Sequence, residues 1–539
     1  MKRLITILAL FCVLFNTANS QQNNDKQLSS AFDKVVEEQF KVNETGVAVL
    51  VSRNGKIIYE RAQGMANLEL SVPMQTYTIF RIGSITKQFT AVAILQLMEN
   101  GKLNLQDDIT KYLPGYPTQG NTITIEHLLS HTSGIRDFTS IKDNEKRIAI
   151  DYTPNEIIDY FKGQPMRFAP GTKWEYSNSG YFLLGYIIEQ ISGKTYGQYL
   201  EENIFKPLGM RNSFYTDNGT IVKNRASGYT QGNKVIENAR YISMTQPYAA
   251  GSVQSTVEDL FKWNQAVQSY KLIKKETLAK ALTKYILNDG TETNYGYGWR
   301  LGYIRESPSI WHGGLIDGFM SMAMYLPKED VFVTVLSNCD CKSPLDVTEK
   351  LAALAIGKCY DYKAIHVDSA TLTCYSGVYE NGKQQQKIIS TSGNQLNLQS
   401  GRGPKAVMKA YQTDKFYTDD PMVTVEISKN KNNSVDKLII HSRTANEVWI
   451  KTNKLPASEN GIKLDENILQ SYVGEYEINP GFAFSITKVE GSLFLKATGQ
   501  EKVEIFAEAE NKFFLKVNGA QLEFVKDNSG KVIKAILIQ

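Results

Sequence analysis

The chain has 539 residues, of which 42% are apolar and 22% charged, and its formal net charge is +4. That length exceeds what one hydrophobic core serves and suits two to four domains. The near-balanced charge, without a basic run, speaks against nucleic-acid binding.

Lys2 and Arg3 precede an apolar stretch from Leu4 to Phe15, too short to span a bilayer comfortably. Ala18-Asn19-Ser20 follows as a small-x-small cleavage site. Residues 1–20 therefore read as a cleaved signal peptide, and the product as exported, periplasmic or secreted. No later segment reads as transmembrane. Cys12 leaves with the signal, while Cys339, Cys341, Cys359 and Cys374 remain and could pair in a connectivity that spacing does not reveal. Cys339-x-Cys341 lacks a second pair at zinc spacing, so no metal site is expected there.

A helix is predicted from Leu28 to Phe40. Next, Gly46 to Val51 and Lys56 to Glu60 flank Asn54-Gly55, the turn chemistry of a β-hairpin. Ser84-Ile85-Thr86-Lys87 then opens an apolar helical stripe through Phe89, Val92, Leu95 and Met98 that ends at Gly101. In a helix, i and i+3 share a face, so the Ser84 hydroxyl and the Lys87 amine can meet. A serine becomes a good nucleophile only beside a base. The same four letters recur at Ser485-Ile486-Thr487-Lys488, inside a segment that reads as a strand. There i and i+3 point to opposite faces, which marks Ser485 as a decoy.

From about Leu103 to Trp263 the chain reads as mainly helical, with Pro-Gly loops. Within it, Glu126 to Ile135 carries His127 and His131 four apart. No third ligand is evident, and the segment reads as structural. Pro170-Gly171 turns the chain into Lys173-Trp174-Glu175-Tyr176-Ser177-Asn178. Tyr176 and Asn178, two apart in an extended stretch, can face one cleft. A phenol there can relay a proton if nearby cations lower its pKa.

Strands are predicted at Trp299 to Tyr303, Met320 to Tyr325 and Val331 to Leu336, with a helix from Leu345 to Ile356. Strands at both ends with helices between suggest one sheet plus an inserted helical part. Trp311-His312-Gly313-Gly314-Leu315 lies at a strand whose glycines mark a close approach. His312 would supply a donor or a charge at the cleft rim. Beyond Tyr360 alternation dominates, and Leu372 to Glu380 and Leu469 to Glu477 share the pattern L-x-x-Y-x-G-x-Y-E. Two similar all-β modules are expected there.

The order S-x-x-K, Y-x-N, H-x-G resembles the serine β-lactamase and penicillin-binding-protein superfamily in its class C-like branch. HLLSHTSGI from His127, PGTKWEYSNSGYFLLGYIIE from Pro170, IFKPLGM from Ile204 and AAGSVQSTVEDLFKW from Ala249 strengthen the likeness, which covers about Leu28 to Ile356. It implies an α/β (α+β) catalytic domain over residues 21–360, an antiparallel sheet flanked by helices with a helical subdomain. The repeats resemble lipocalin-like barrels, over residues 361–460 and 461–539.

By this resemblance Ser84 is the acylated nucleophile, Lys87 its base and Tyr176 the proton shuttle. Asn178, His312, Gly313 and Gly314 bind substrate, and the N–H groups of Ser84 and Leu315 form the oxyanion hole. No cofactor and no metal is implied. The implied partner is a small peptide, an ester or a β-lactam-like substrate. One departure stands out. The family's Lys-Thr-Gly is His312-Gly313-Gly314, which lacks the threonine hydroxyl and places a titrating imidazole where lysine would stand. Both changes weaken carboxylate recognition. H-G-G resembles instead the D-aminopeptidase and esterase members. The expected activity is hydrolysis of amide or ester bonds through an acyl-enzyme on Ser84. A D-Ala-D-Ala carboxypeptidase, a weak β-lactamase and a slowly deacylating penicillin sensor are the alternatives.

Overall fold

The computed structural model describes residues 26–538, apart from 216–218, 359, 383–384, 421, 457–460, 480–481, 499 and 528–529. The expected signal peptide and Cys359 lie outside the described residues. The chain divides into two compact units that meet between Tyr360 and Asp361.

The first unit is built on a six-stranded sheet. Its strands are β1 (Val47–Arg53), β2 (Lys56–Gln63), β3 (Arg300–Ile304), β4 (Ser307–Ile316), β5 (Phe319–Leu326) and β6 (Val331–Ser337). Their order is β3-β4-β5-β6-β1-β2, antiparallel throughout. The predicted hairpin forms because Asn54 (φ 52°) and Gly55 (φ 69°) both take the left-handed conformation its two-residue turn requires. Strand β1 is buried on both faces, and its alternation decides which side chain faces which layer. Val47, Val49 and Val51 pack with Phe32 and Val36 of helix α1, residues 26–39, and with Val347 and Leu351 further on. Ala48 and Leu50 turn to the other core, with Val92, Leu95 and Leu260. Those residues come from α2 (Thr86–Glu99), α4 (Val257–Gln268) and, on the first face, α5 (Leu345–Ala355), while α3 (Asn178–Ser192) packs into the same core as α2 and α4.

The stretch from 103 to 263 is far less helical than predicted. Among its described residues, only α3, α4 and a continuous run from Tyr196 to Leu208 exceed eight residues. Capping boxes at Thr124/His127, Thr153/Glu156 and Thr195/Gln198 start helices. The first of these helices stops at Leu129 and the second at Phe161, while the third runs on from Tyr196 to Leu208 through a π turn at Glu201–Phe205. Short strands fill part of the remainder, Val253–Ser255 pairing with both Phe80–Arg81 and Phe214–Tyr215.

Among its described residues the second unit is all-β apart from two short helices, Ser369–Tyr375 and Glu466–Gln470. Eight strands, from Gly377–Glu380 to Asn446–Thr452, close into a barrel, and seven more, from Gly474–Asn479 to Val532–Ile538, form a second sheet. Each copy of the repeated motif sits at the entry to its module. Tyr379 Oη donates to the Tyr375 carbonyl at 2.6 Å, and Tyr476 Oη to the Tyr472 carbonyl at 2.9 Å. Tyr375 Oη reaches the Thr413 carbonyl and Tyr472 Oη the Glu510 carbonyl, each 38 residues downstream.

Candidate active site

Ser84 stands in a 3₁₀ turn, Gly83–Ile85, directly before α2. The turn is fixed from three sides. Ser321 Oγ donates to the Ile82 carbonyl at 2.7 Å, the Ile82 N–H donates to Val253, and Thr86 Oγ1 accepts from the Val253 N–H. Close approach to β4 explains the glycines. A Cβ on Gly83 would lie 2.9 Å from the Leu315 nitrogen, and one on Gly314 only 2.0 Å from the Ile82 oxygen. Any side chain at Gly314 would push β4 away from the serine. Gly313 is looser, since its Cβ would meet only the Met322 sulfur at 3.1 Å.

Lys87, one turn into the helix, is fully buried. Its Nζ donates to Ser84 Oγ at 3.0 Å, to Asn178 Oδ1 at 2.8 Å and to the Ala250 carbonyl at 2.8 Å. Burial lowers its pKa from 10.5 to about 7, with the Asp137 carboxylate opposing and the Arg300 guanidinium assisting. Asn178 opens α3, capped by Ser177, and its Nδ2 donates to Asp137 Oδ2 at 3.0 Å. That bond orients the amide so that its oxygen faces the lysine.

Tyr176 lies under the Lys87 ammonium, 4.7 Å from Nζ to the ring centre. Burial raises its pKa above the ordinary tyrosine value, against the smaller pulls of the Ser84 hydroxyl and Arg300. The expected lowering by cations is therefore outweighed by desolvation, and Tyr176 is a neutral phenol with a proton to give.

His312 also departs from expectation. Its imidazole is buried rather than at the rim, 2% exposed. Nε2 lies 2.9 Å from Tyr295 Oη and Nδ1 2.6 Å from the Gly313 carbonyl. Desolvation, with Lys87 nearby, lowers its pKa to about 3, so the ring is uncharged at neutral pH. Leu315 is 62% exposed beside Ser84, its backbone nitrogen next to Gly83.

Other residues complete the setting without a signature in the sequence. His131 lies beyond the short helix at φ 60°, so it does not share a helical face with His127. It accepts the Ser177 N–H at Nδ1 and stacks 4.3 Å from the Tyr176 ring. Arg300 on β3 lies within 6 Å of the rings of Trp174, Tyr176, Tyr295 and Trp311. Among the described residues no carboxylate pairs with it. Asp137 was unmarked, because it acts across space rather than at a fixed spacing.

Two recesses open from Ser84. One of about 570 Å³ is lined by Asn178, Ile148, Arg240, Leu315 and Asp317. The other, about 340 Å³, is lined by Tyr176, Arg300, Trp311 and His312 to Leu315. The decoy falls apart as geometry predicts. Ser485 sits in the strand Phe482–Val489, and Lys488 instead pairs with Glu466 at 3.2 Å. Cys339 and Cys341 form a disulfide, with Asp340 between them accepting the Gly318 N–H. Cys374 is free and exposed. Among the described residues no cluster of three metal-ligating side chains occurs, and no helix is long and apolar enough to cross a membrane.

Comparison with known proteins agrees with this geometry. Penicillin-binding protein 4* of Bacillus subtilis is 26% identical over 523 residues, covering 94% of each chain. The solved D-stereospecific amidohydrolase from Streptomyces sp. superposes with a TM-score of 0.53 at 25% identity, covering 60% of this chain and 98% of its own. D-amino acid amidase from Ochrobactrum anthropi SV3 shares the fold at a TM-score of 0.54 and 23% identity, over 61% of this chain and 99% of its own. A domain of unknown function, DUF3471, matches residues 459–538. The Beta-lactamase family matches residues 32–358, which contain every residue of the Ser84 cluster, and the chain belongs to that family.

Proposed function

We propose that the protein is an exported serine hydrolase that cleaves amide or ester bonds of small peptides or esters through an acyl-enzyme on Ser84. One observation carries this reading: the Lys87 amine lies 3.0 Å from Ser84 Oγ, fully buried, with its pKa near 7. At pH 7 an ordinary lysine is neutral in fewer than one molecule in a thousand, roughly. Lys87 is neutral in about half, a gain of about a thousandfold in available base.

Ser84 Oγ attacks the carbonyl carbon while its proton passes to Lys87 Nζ. The N–H groups of Ser84 and Leu315 hold the oxyanion. As the intermediate collapses, the bond to the leaving nitrogen or oxygen breaks, and Tyr176 gives that atom its proton. Lys87 then returns a proton to the phenol. Water repeats the sequence in reverse and frees the acid product. Asn178, held by Asp137, orients the substrate carbonyl on the acyl side.

The H-G-G segment supports a reading of the substrate class. With Gly313 in place of threonine and His312 uncharged, neutral amides and esters, as in the D-amino-acid amidases whose fold is shared, fit better than carboxylate-bearing substrates. Arg300 favours a second reading, a carboxypeptidase. Its guanidinium lines the Tyr176 recess without a carboxylate partner among the described residues. The test is a panel of D- and L-amino-acid nitroanilides, D-Ala-D-Ala peptides, nitrophenyl esters and nitrocefin, with intact-mass detection. An adduct on Ser84 is expected, absent in Ser84→Ala. Full turnover in Ser84→Ala would overturn the assignment.

A further inference from the structure

We infer that His312 is a positioning residue: together with Tyr295 it locks the Gly313-Gly314 segment of β4 and so holds the Leu315 N–H in register with Ser84. This rests on the Ser84 reading above and departs from a role for His312 in binding substrate.

Strand β3 pairs with β4 from Ser307 only as far as Trp311, whereas β4 runs on to Ile316. From His312 onward, among the described residues, no strand pairs with that edge of β4. Its ladder is made with β5 alone. Two successive glycines occupy this half-supported stretch. Glycine carries the largest backbone freedom of any residue, so this is where the strand is most costly to order. The glycines themselves are required, at least at Gly314, by the 2.0 Å approach to Ile82. Rigidity must therefore come from elsewhere.

The imidazole supplies it. A carbonyl only accepts, so His312 Nδ1 carries the hydrogen and donates to Gly313. Nε2 is then the acceptor of a hydrogen bond donated by the Tyr295 hydroxyl. The chain Tyr295 to His312 to Gly313 uses both nitrogens and leaves neither for a substrate. Tyr295 is itself fully buried and packed against His131 at 4.7 Å, on the same side as Tyr176. One relay thus ties the strand that carries the oxyanion donor to the aromatic cluster that carries the proton donor. Lys87 and Arg300 are the cations that face this imidazole, and both favour its neutral form.

Two measurements test the inference. The first needs no turnover: ¹⁵N spectra of labelled histidine in the full chain, which has five histidines. The resonance lost in His312→Asn should report a neutral ring with its hydrogen on Nδ1, unchanged from pH 5 to 9. Titration in that range, or a hydrogen on Nε2, would refute the relay. The second is kinetic. Tyr295→Phe should lower kcat about tenfold and His312→Leu about a hundredfold, as partial and fuller displacement of one oxyanion donor. KM should move less than twofold, and the ratio between neutral and carboxylate-bearing substrates should not move at all. His312→Asn, whose amide nitrogen overlays Nδ1, should recover most of the kcat lost in His312→Leu. A selective rise in KM for carboxylate substrates, or unaltered kcat in His312→Leu, would instead make His312 a substrate contact or a bystander. If no substrate acylates Ser84, the function reading fails, and the spectra still decide the relay.

Discussion

Lys87 is poised by three influences of unequal size. Burial dominates, Asp137 pulls its pKa upward and Arg300 pushes it downward. Only the neutral amine can take the Ser84 proton, so kcat/KM should rise with pH through a pKa near 7. Arg300→Gln removes a repelling cation, which raises the Lys87 pKa and lowers activity at pH 6 severalfold. Asp137→Asn removes an attracting anion while keeping an acceptor for Asn178, and should shift the limb to lower pH. Both variants moving the limb the same way would count against Lys87 as the titrating base. Tyr176 adds no alkaline limb below its raised pKa. The Ser84-Lys87 pair was legible because helical spacing alone brings i and i+3 together. Asp137 and Arg300 were not, since each meets the lysine through tertiary packing from a distant segment. The burial of His312, expected at the cleft rim, was hidden for a related reason: residue type sets a pKa near 6.5 only in water, and burial depth is not written in the string.

Among elements, the duplicated motif entering each β module has the plainest internal logic. Leu372 and Leu469 are buried, the first tyrosine of each pair fills the module's floor, and the second binds its carbonyl four residues back. Removing the second hydroxyl leaves that carbonyl unpaired. Tyr379→Phe and Tyr476→Phe should each destabilise the C-terminal unit by about 1–2 kcal/mol. Denaturant unfolding followed by the fluorescence of Trp449, buried in the first barrel, checks the former. No change in its midpoint would show the bond to be dispensable. The repeat was visible because its leucines and tyrosines have packing or bonding tasks in both copies. The strand count was not, because alternation marks a strand but cannot tell a closed barrel from an open sheet. Helix content between 103 and 263 was overread for a similar reason. Capping residues announce a helix start at Thr124, Thr153 and Thr195 but say little of its length.

For the whole molecule, the first unit alone houses the Ser84 cluster, and the match to penicillin-binding protein 4* extends along 94% of both chains. A sheet with a helical part between its strands was legible because the predicted strands from Met320 to Leu336 and the Asn54-Gly55 hairpin are mostly apolar and bounded by clear turns, whereas its antiparallel order came from the family resemblance. The buried amine at the centre of that unit also shapes its thermodynamics. Free in an unfolded chain, Lys87 keeps its proton up to 10.5; in the fold it gives the proton up near 7. Between those values the unfolded chain binds one proton more, so stability climbs as pH rises across this window. The span corresponds to on the order of 5 kcal/mol. Against Lys87→Met, which lacks the term, the wild-type melting temperature should gain steadily from pH 7 to 10. A constant difference would mean that the amine is not desolvated. Folding near neutrality thus expels a proton into the solvent. Acid, in reversing that release, would loosen the molecule at the same amine whose protonation silences it.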